Sequence, residues 1–144
     1  MAKKKLQAKI VSYGIYTPWD RQSKRLPDIL EYTTVVPNRL DIEFGYIINI
    51  KQGRGEKLTF CIEHPPFKNS AGDVAPAFTG EVYVRHSDFN FFLGDTIWAP
   101  VADKVGPWQL TTLWNDDIIA KKTINVVPED QYESSSDNSL YTKL

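Results

Sequence analysis

The chain is 144 residues long, enough for one domain with a core of its own, and its formal net charge of −1 provides no long-range field to draw nucleic acid or an anionic membrane. Cys61 is the sole cysteine, which excludes an intrachain disulfide. No apolar stretch is long enough to span a bilayer as a helix, and no apolar leader segment follows Lys3-Lys4-Lys5, so a cytoplasmic protein that meets neither membrane nor nucleic acid is expected.

Residues 1–7 read as a basic arm, solvated or available to an acidic partner. A β-sandwich domain is expected over residues 8–127. Lys9 to Tyr16 is rich in β-branched and aromatic residues and ends at Thr17-Pro18, where proline removes a ladder donor. Arg21 to Arg25 is an expected exposed loop, and Leu26 to Thr33 has the composition of a short helix with proline in its first turn.

The clearest element runs from Leu40 to Lys51. Leu40, Ile42, Phe44, Tyr46, Ile48 and Ile50 alternate with Asp41, Glu43, Gly45, Asn49 and Lys51, the period-two pattern of an antiparallel strand with one buried and one wet face. Leu58, Phe60 and Ile62 repeat that alternation. Gly53-Arg54-Gly55-Glu56 lies between the two runs, so a hairpin over residues 40–64 is expected. Glu81 to His86 and Phe89 to Trp98 are further strands, joined by a turn at His86-Ser87-Asp88 or continuous as one bent strand. The last pair runs from Gly106 to Val127. Trp108, Leu110 and Trp114 share one alternate set, the turn falls at Asn115-Asp116-Asp117, and Ile118, Ala120, Ile124 and Val126 return. Residues 128–144 are acidic and serine-rich, the composition of a disordered tail.

About seven to eight short strands without alternating helices indicate an all-β, antiparallel, immunoglobulin-like sandwich, with a small barrel as the alternative. Gly106-Pro107-Trp108-Gln109-Leu110 with Lys121-Lys122-Thr123-Ile124-Asn125-Val126 resembles the last two strands of bacterial immunoglobulin-like domains. Together with Tyr13-Gly14-Ile15-Tyr16, Glu43-Phe44-Gly45 and His64-Pro65-Pro66, the chain resembles the bacterial family of domain of unknown function 3859 over about residues 8 to 127. That resemblance implies a β-sandwich and brings no activity, ligand or catalytic residue with it.

Four kinds of chemistry could draw on these residues. Cys61 and His64 point to opposite faces of a strand and cannot chelate a metal together unless the chain bends between them, so Cys61, Glu63 and His86 are the better metal set; a nucleophile would pair Cys61 with His64 or His86, and the sequence shows neither the proximity nor an oxyanion donor. His64, before proline, reads as a strand terminator bonded to a loop carbonyl. Asp116-Asp117 and the pair Asp41 and Glu43 read as solvated carboxylates, and Gly53-Arg54-Gly55-Glu56-Lys57 lacks the helix that a phosphate loop requires. No enzyme activity, cofactor or metal is expected.

The remaining signal is aromatic. Asp88-Phe89-Asn90-Phe91-Phe92-Leu93 is apolar on both alternate sets, and Trp19 stands between Pro18 and Asp20 in a loop. Trp19, Phe89, Phe91 and Phe92 are therefore the candidate binding residues of a non-catalytic interaction module. A protein partner or a second copy would pair with the sheet edge. A carbohydrate or small ligand on aromatic platforms is the alternative.

Overall fold

The computed structural model describes residues 6–20, 22 and 25–132; residues 1–5 of the basic arm, Arg21, Ser23 and Lys24 of the expected exposed loop, and residues 133–144 of the expected tail lie outside the described residues. Among the described residues, nine strands form two sheets packed as a sandwich: β1 (Gln7–Tyr16), β2 (Ile29–Tyr32), β3 (Val35–Pro37), β4 (Glu43–Lys51), β5 (Lys57–Glu63), β6 (Phe78–Tyr83), β7 (Asp88–Thr96), β8 (Gly106–Trp114) and β9 (Asp117–Val127). One sheet has the order β2-β1-β4-β7, the other β3-β9-β8-β5-β6. Thus β2 and β3 form one lateral side of the sandwich, and β6 and β7 form the other. No described helix is long and apolar enough to cross a membrane.

The central alternation is realised by β4. Phe44, Tyr46, Ile48 and Ile50 are fully buried and join Leu58, Ile62, Trp108, Leu110, Ile124 and Val126 in one core between the sheets. Each such side chain contributes about 1.5–3 kcal/mol by leaving water. The rings of Phe44 and Trp108 meet edge to face at 5.2 Å across the two sheets. Trp108 Nε1 donates to the Lys104 carbonyl at 2.9 Å, so this large side chain is buried with its one donor satisfied.

The closing hairpin forms as expected, and its turn follows from residue type. Trp114 pairs with Asp117, leaving Asn115 and Asp116 as a two-residue loop at φ 51° and 68°. Asparagine and aspartate tolerate this left-handed region, and two such residues supply the twist that matches the flanking strands.

Several expectations are corrected. Residues 26–33 contain no helix: Ile29–Tyr32 is the edge strand β2, held to β1 by Gly14 opposite Tyr32 and Ile15 opposite Glu31. Strands β4 and β5 do not pair, because β1 and β7 already flank β4; the Gly53 to Glu56 connection instead crosses between sheets, tied down by Gly55 N–H to the Val84 carbonyl at 2.9 Å. Of the two readings of His86-Ser87-Asp88, one bent strand is not formed: His86 and Ser87 lie in a connection between sheets, and Asp88 begins β7. Ile118, expected inside, is 56% exposed, because a bulge between Thr112 and Leu113 changes the parity of the hairpin near its turn. The expected tail is ordered at its beginning. Residues 129–131 form a 3-10 turn, Arg39 Nε donates to Glu129 at 2.7 Å, and the Tyr132 hydroxyl donates to Glu31 at 2.5 Å.

One polar pair bridges the two sheets inside the core: the Tyr46 hydroxyl and the Thr112 hydroxyl share a hydrogen bond of 2.6 Å. Thr112→Val leaves the phenol without a partner, and urea denaturation is expected to show a loss of roughly 1–3 kcal/mol. Tyr46→Phe in the Thr112→Val background should recover part of that loss; a double variant as unstable as the sum of the two singles would mean the bond contributes nothing.

Burial pushes both Tyr16 and Tyr46 up from the ordinary tyrosine value of 10.0 to about 12, against the opposing hydrogen bonds from Ser12 and Thr112. The unfolded chain therefore loses these protons first. Their contribution to stability is fully present below pH 10 and is lost as the pH rises from there through about 12. Urea midpoints measured at pH 9, 10 and 11 should fall only over the upper interval, and Tyr46→Phe should reduce that slope.

Candidate functional site

The β6/β7 side carries the sequence-predicted residues. Along β7, Phe89, Phe91 and Leu93 face the interior, while Asn90, Phe92 and Gly94 face outward on the four-stranded sheet. An outward phenylalanine would ordinarily be wet, yet Phe92 is 4% exposed. The loop that follows β1 explains this. Thr17 N–H donates to the Asp28 carbonyl and Asp28 N–H to the Thr17 hydroxyl, both at 2.9 Å, which ties the two ends of the connection together and leaves Trp19 over the outer face. Trp19 packs edge to face on Phe92 at 5.2 Å, and Tyr16 does so from its other side at 4.9 Å.

Three of the four candidates thus share one place. Trp19, Phe91 and Phe92 line a cleft of about 240 Å³ together with Phe60, Val82, Leu93 and Gly94, opening between the edges of the two sheets. Phe89 does not line it. Its ring lies 6.1 Å from Phe91 and packs against the core, with His86 at 6.3 Å. The walls of the cleft are mostly apolar, which suits an apolar side chain better than a polar ligand.

Glu43 is the residue that sequence reasoning misplaced. Expected on a wet face, it is 3% exposed, because the Trp19 loop covers it. Its Oε1 accepts from Trp19 N–H at 3.3 Å and from the Thr96 hydroxyl at 2.9 Å, while Oε2 has no hydrogen-bond partner among the described residues. Glu43 therefore anchors the loop that carries Trp19 to the first residue of β4 and the last of β7. Only a loop folding over the sheet could reveal this, and alternation along the strand cannot.

The residues weighed for catalysis are held apart. Cys61 lies on the outer face of the five-stranded sheet between Thr79 and Thr111, and burial, then the Glu63 carboxylate, pushes its thiol up. A raised thiol is the opposite of an activated nucleophile. The His64 ring points the other way. It stacks on Phe67 at 4.2 Å, with Nδ1 at 2.7 Å from the Pro65 carbonyl and Nε2 at 2.8 Å from the Pro76 carbonyl, which is the strand-terminating role its position before proline suggests. His86 follows β6 at the opposite end of β5, about 20 Å away at strand rise. No group of three or more His, Cys, Asp and Glu among the described residues could hold a metal ion.

A second cleft, of about 450 Å³, opens at the end of the sandwich that His64 occupies and is lined by Phe67, Phe78, Trp98, Asn69 and Lys104 among others. Lys104 is 1% exposed. Its Nζ donates to the Pro100 carbonyl at 2.9 Å and to Asp103 at 2.5 Å, and lies 4.7 Å from the Phe67 ring centre and 4.5 Å from that of Trp98. Two oxygens and two ring faces compensate for its removal from water.

The fold is shared with a known structure. An immunoglobulin-like protein from Pseudomonas aeruginosa, PA1606, superposes with a TM-score of 0.72 at 18% identity, covering 88% of this chain and 100% of that one. An alkylpurine DNA glycosylase, AlkC, from Pseudomonas fluorescens matches at a TM-score of 0.42 and 10% identity, covering 84% of this chain and 30% of that one. A β-glucosidase from Kluyveromyces marxianus matches at 0.39 and 10%, covering 88% and 15%. At these identities the likeness to PA1606 concerns the fold alone, and the two weaker matches carry no argument about this chain. No curated protein matches the sequence. The family model of the domain of unknown function DUF3859 matches residues 4–126, and with that span, nearly the whole sandwich, the chain belongs to the DUF3859 family of immunoglobulin-like domains.

Proposed function

We propose that the protein is a non-catalytic interaction module that presents the β7 edge, with the Trp19–Phe92 cleft beside it, to an extended segment of another protein chain. One observation carries this reading. An edge strand with apolar side chains on both faces borders an apolar cleft between the two sheets. An added strand would take the free backbone groups of β7, and one of its alternate side chains would enter the cleft. The partner is another protein or a second copy of this chain, and cytoplasmic residence belongs to the same proposal, supported by the single cysteine.

A photo-crosslinking residue in place of Asn90, which is exposed on β7, tests the reading in cells. It should give a discrete adduct that weakens with Trp19→Ala. The same residue in place of Thr123, exposed on β9 in the other sheet, should give none. Equal labelling from both positions, or none from Asn90, would sink it.

The aromatic cleft around Phe78 and Trp98, whose rings are 6.2 Å apart, supports a second reading, a carbohydrate or small flat ligand bound by ring stacking. Tryptophan fluorescence titrated with a glycan panel should then shift in the wild type and not in Trp98→Ala. An unresponsive wild type across the panel removes this reading.

A further inference from the structure

On the opposite lateral side, beyond β3, the chain has already docked a piece of itself. Asn38 N–H donates to the Val127 carbonyl at 2.9 Å, and Asn38 Oδ1 accepts from Glu129 N–H at 2.8 Å. The segment that follows is one 3-10 turn, with Gln131 N–H donating to the Pro128 carbonyl at 2.9 Å. In such a turn residues three apart lie above one another, so Glu129 and Tyr132 project together onto the sandwich. The carboxylate of Glu129 meets Arg39 at 2.7 Å, and the phenol of Tyr132 donates to Glu31 at 2.5 Å. Arg39 follows β3 and Glu31 belongs to β2, so the strap spans the edges of both sheets.

Among the described residues, the strap does not fill the place it occupies. A cleft of about 490 Å³ stands beside it, lined by Glu129 and Tyr132 themselves, by Arg39 and Glu31, and by an apolar floor that includes Leu30 and Ile42. Leu30 is 64% exposed there, although it sits on a strand. The ion pair is also solvated, with the Arg39 and Glu129 side chains 54% and 51% exposed, and exposed pairs hold weakly. A turn whose charged side-chain contact is solvated, beside a floor that the described residues leave uncovered, can be replaced by a segment offering the same polar groups and an additional apolar side chain.

We infer that this cleft is a docking site for an acidic–aromatic peptide segment, recognised by Arg39 through a carboxylate and by Glu31 through a phenol three residues further on, and occupied in cis by residues 128–132. The strap is thereby an autoinhibitory contact. Being tethered directly to β9, it competes at an effective concentration in the millimolar range. This site is independent of the β7 edge, so either proposal can fail without the other.

The test uses the full chain and, as probe, the acetylated and amidated hexapeptide of residues 127–132. Amide spectra of the wild type should show no saturable change up to about 1 mM peptide, because the strap holds the site. In the full chain carrying Glu129→Ala and Tyr132→Phe, the peptide should bind saturably and shift the signals of Leu30 and Ile42. Adding Arg39→Ala to that background should weaken binding about three- to fivefold, the value of one exposed ion pair. The strap lies outside the nine strands, and unchanged signals from β4 and β8 confirm that each variant is folded. No saturable binding by the released variant, shifts elsewhere on the surface, or indifference to Arg39→Ala overturns the site. Equal binding by wild type and released variant overturns the occupancy in cis.

Discussion

The contact between β4 and β8 is the constraint on which the other elements depend. Phe44 and Tyr46 on one sheet meet Trp108, Leu110 and Thr112 on the other, all fully buried, and the Tyr46–Thr112 hydrogen bond gives this contact a register that hydrocarbon packing alone would not. A slip of two residues along either strand would preserve burial and orphan both hydroxyls, at a cost comparable to losing a large part of a core side chain. With β4 and β8 in place, β1 and β7 flank the first, and β5 and β9 flank the second. Both lateral sides, and so both surfaces proposed for binding, are consequences of that arrangement.

The outer face of the four-stranded sheet is shaped by glycine. Gly14, Gly45 and Gly94 lie side by side on β1, β4 and β7. Gly14 and Gly45 hold φ values of 132° and 154°, and a Cβ on either would fall on the backbone of the next strand. The absence of side chains along this row leaves room for the Tyr16 and Phe92 rings, and Trp19 closes over Phe92. A strand edge that would otherwise be wet is thus lined with aromatic side chains, and the cleft beside β7 follows from that covering.

Legibility in the sequence differed from element to element for identifiable reasons. β4 is readable because its core face is uninterrupted from Phe44 to Ile50. β1 is harder, because a bulge at Val11 changes parity: Ala8 and Ile10 face inward before it, Tyr13 and Ile15 after it. Averaged over the strand, neither alternate set looks apolar. β2 and β3 are four and three residues long, too short for a period to register, and proline near Leu26 imitates a helix start. Of the candidate site, the doubly apolar run on β7 was visible as an anomaly that something had to cover. Its cover, a loop more than sixty residues earlier in the chain, was not.

Sequence alone therefore determined the architecture's class and its most regular parts: a sandwich, antiparallel in the structure except where β3 pairs parallel with β9; the central strand; and the closing hairpin with its Asn115-Asp116 turn. These depend on short-range rules, the period of two along a strand and the dihedrals that asparagine and aspartate accept. Tertiary structure decided which strands became neighbours, so that β4 and β5 parted into different sheets. It also decided which polar residues were buried, Glu43 beneath the Trp19 loop and Lys104 among aromatic rings, and which part of an acidic tail was held by Arg39 and Glu31. Each of those outcomes depends on contacts between residues far apart in the chain, and local pattern carries no information about which distant surface a segment will meet.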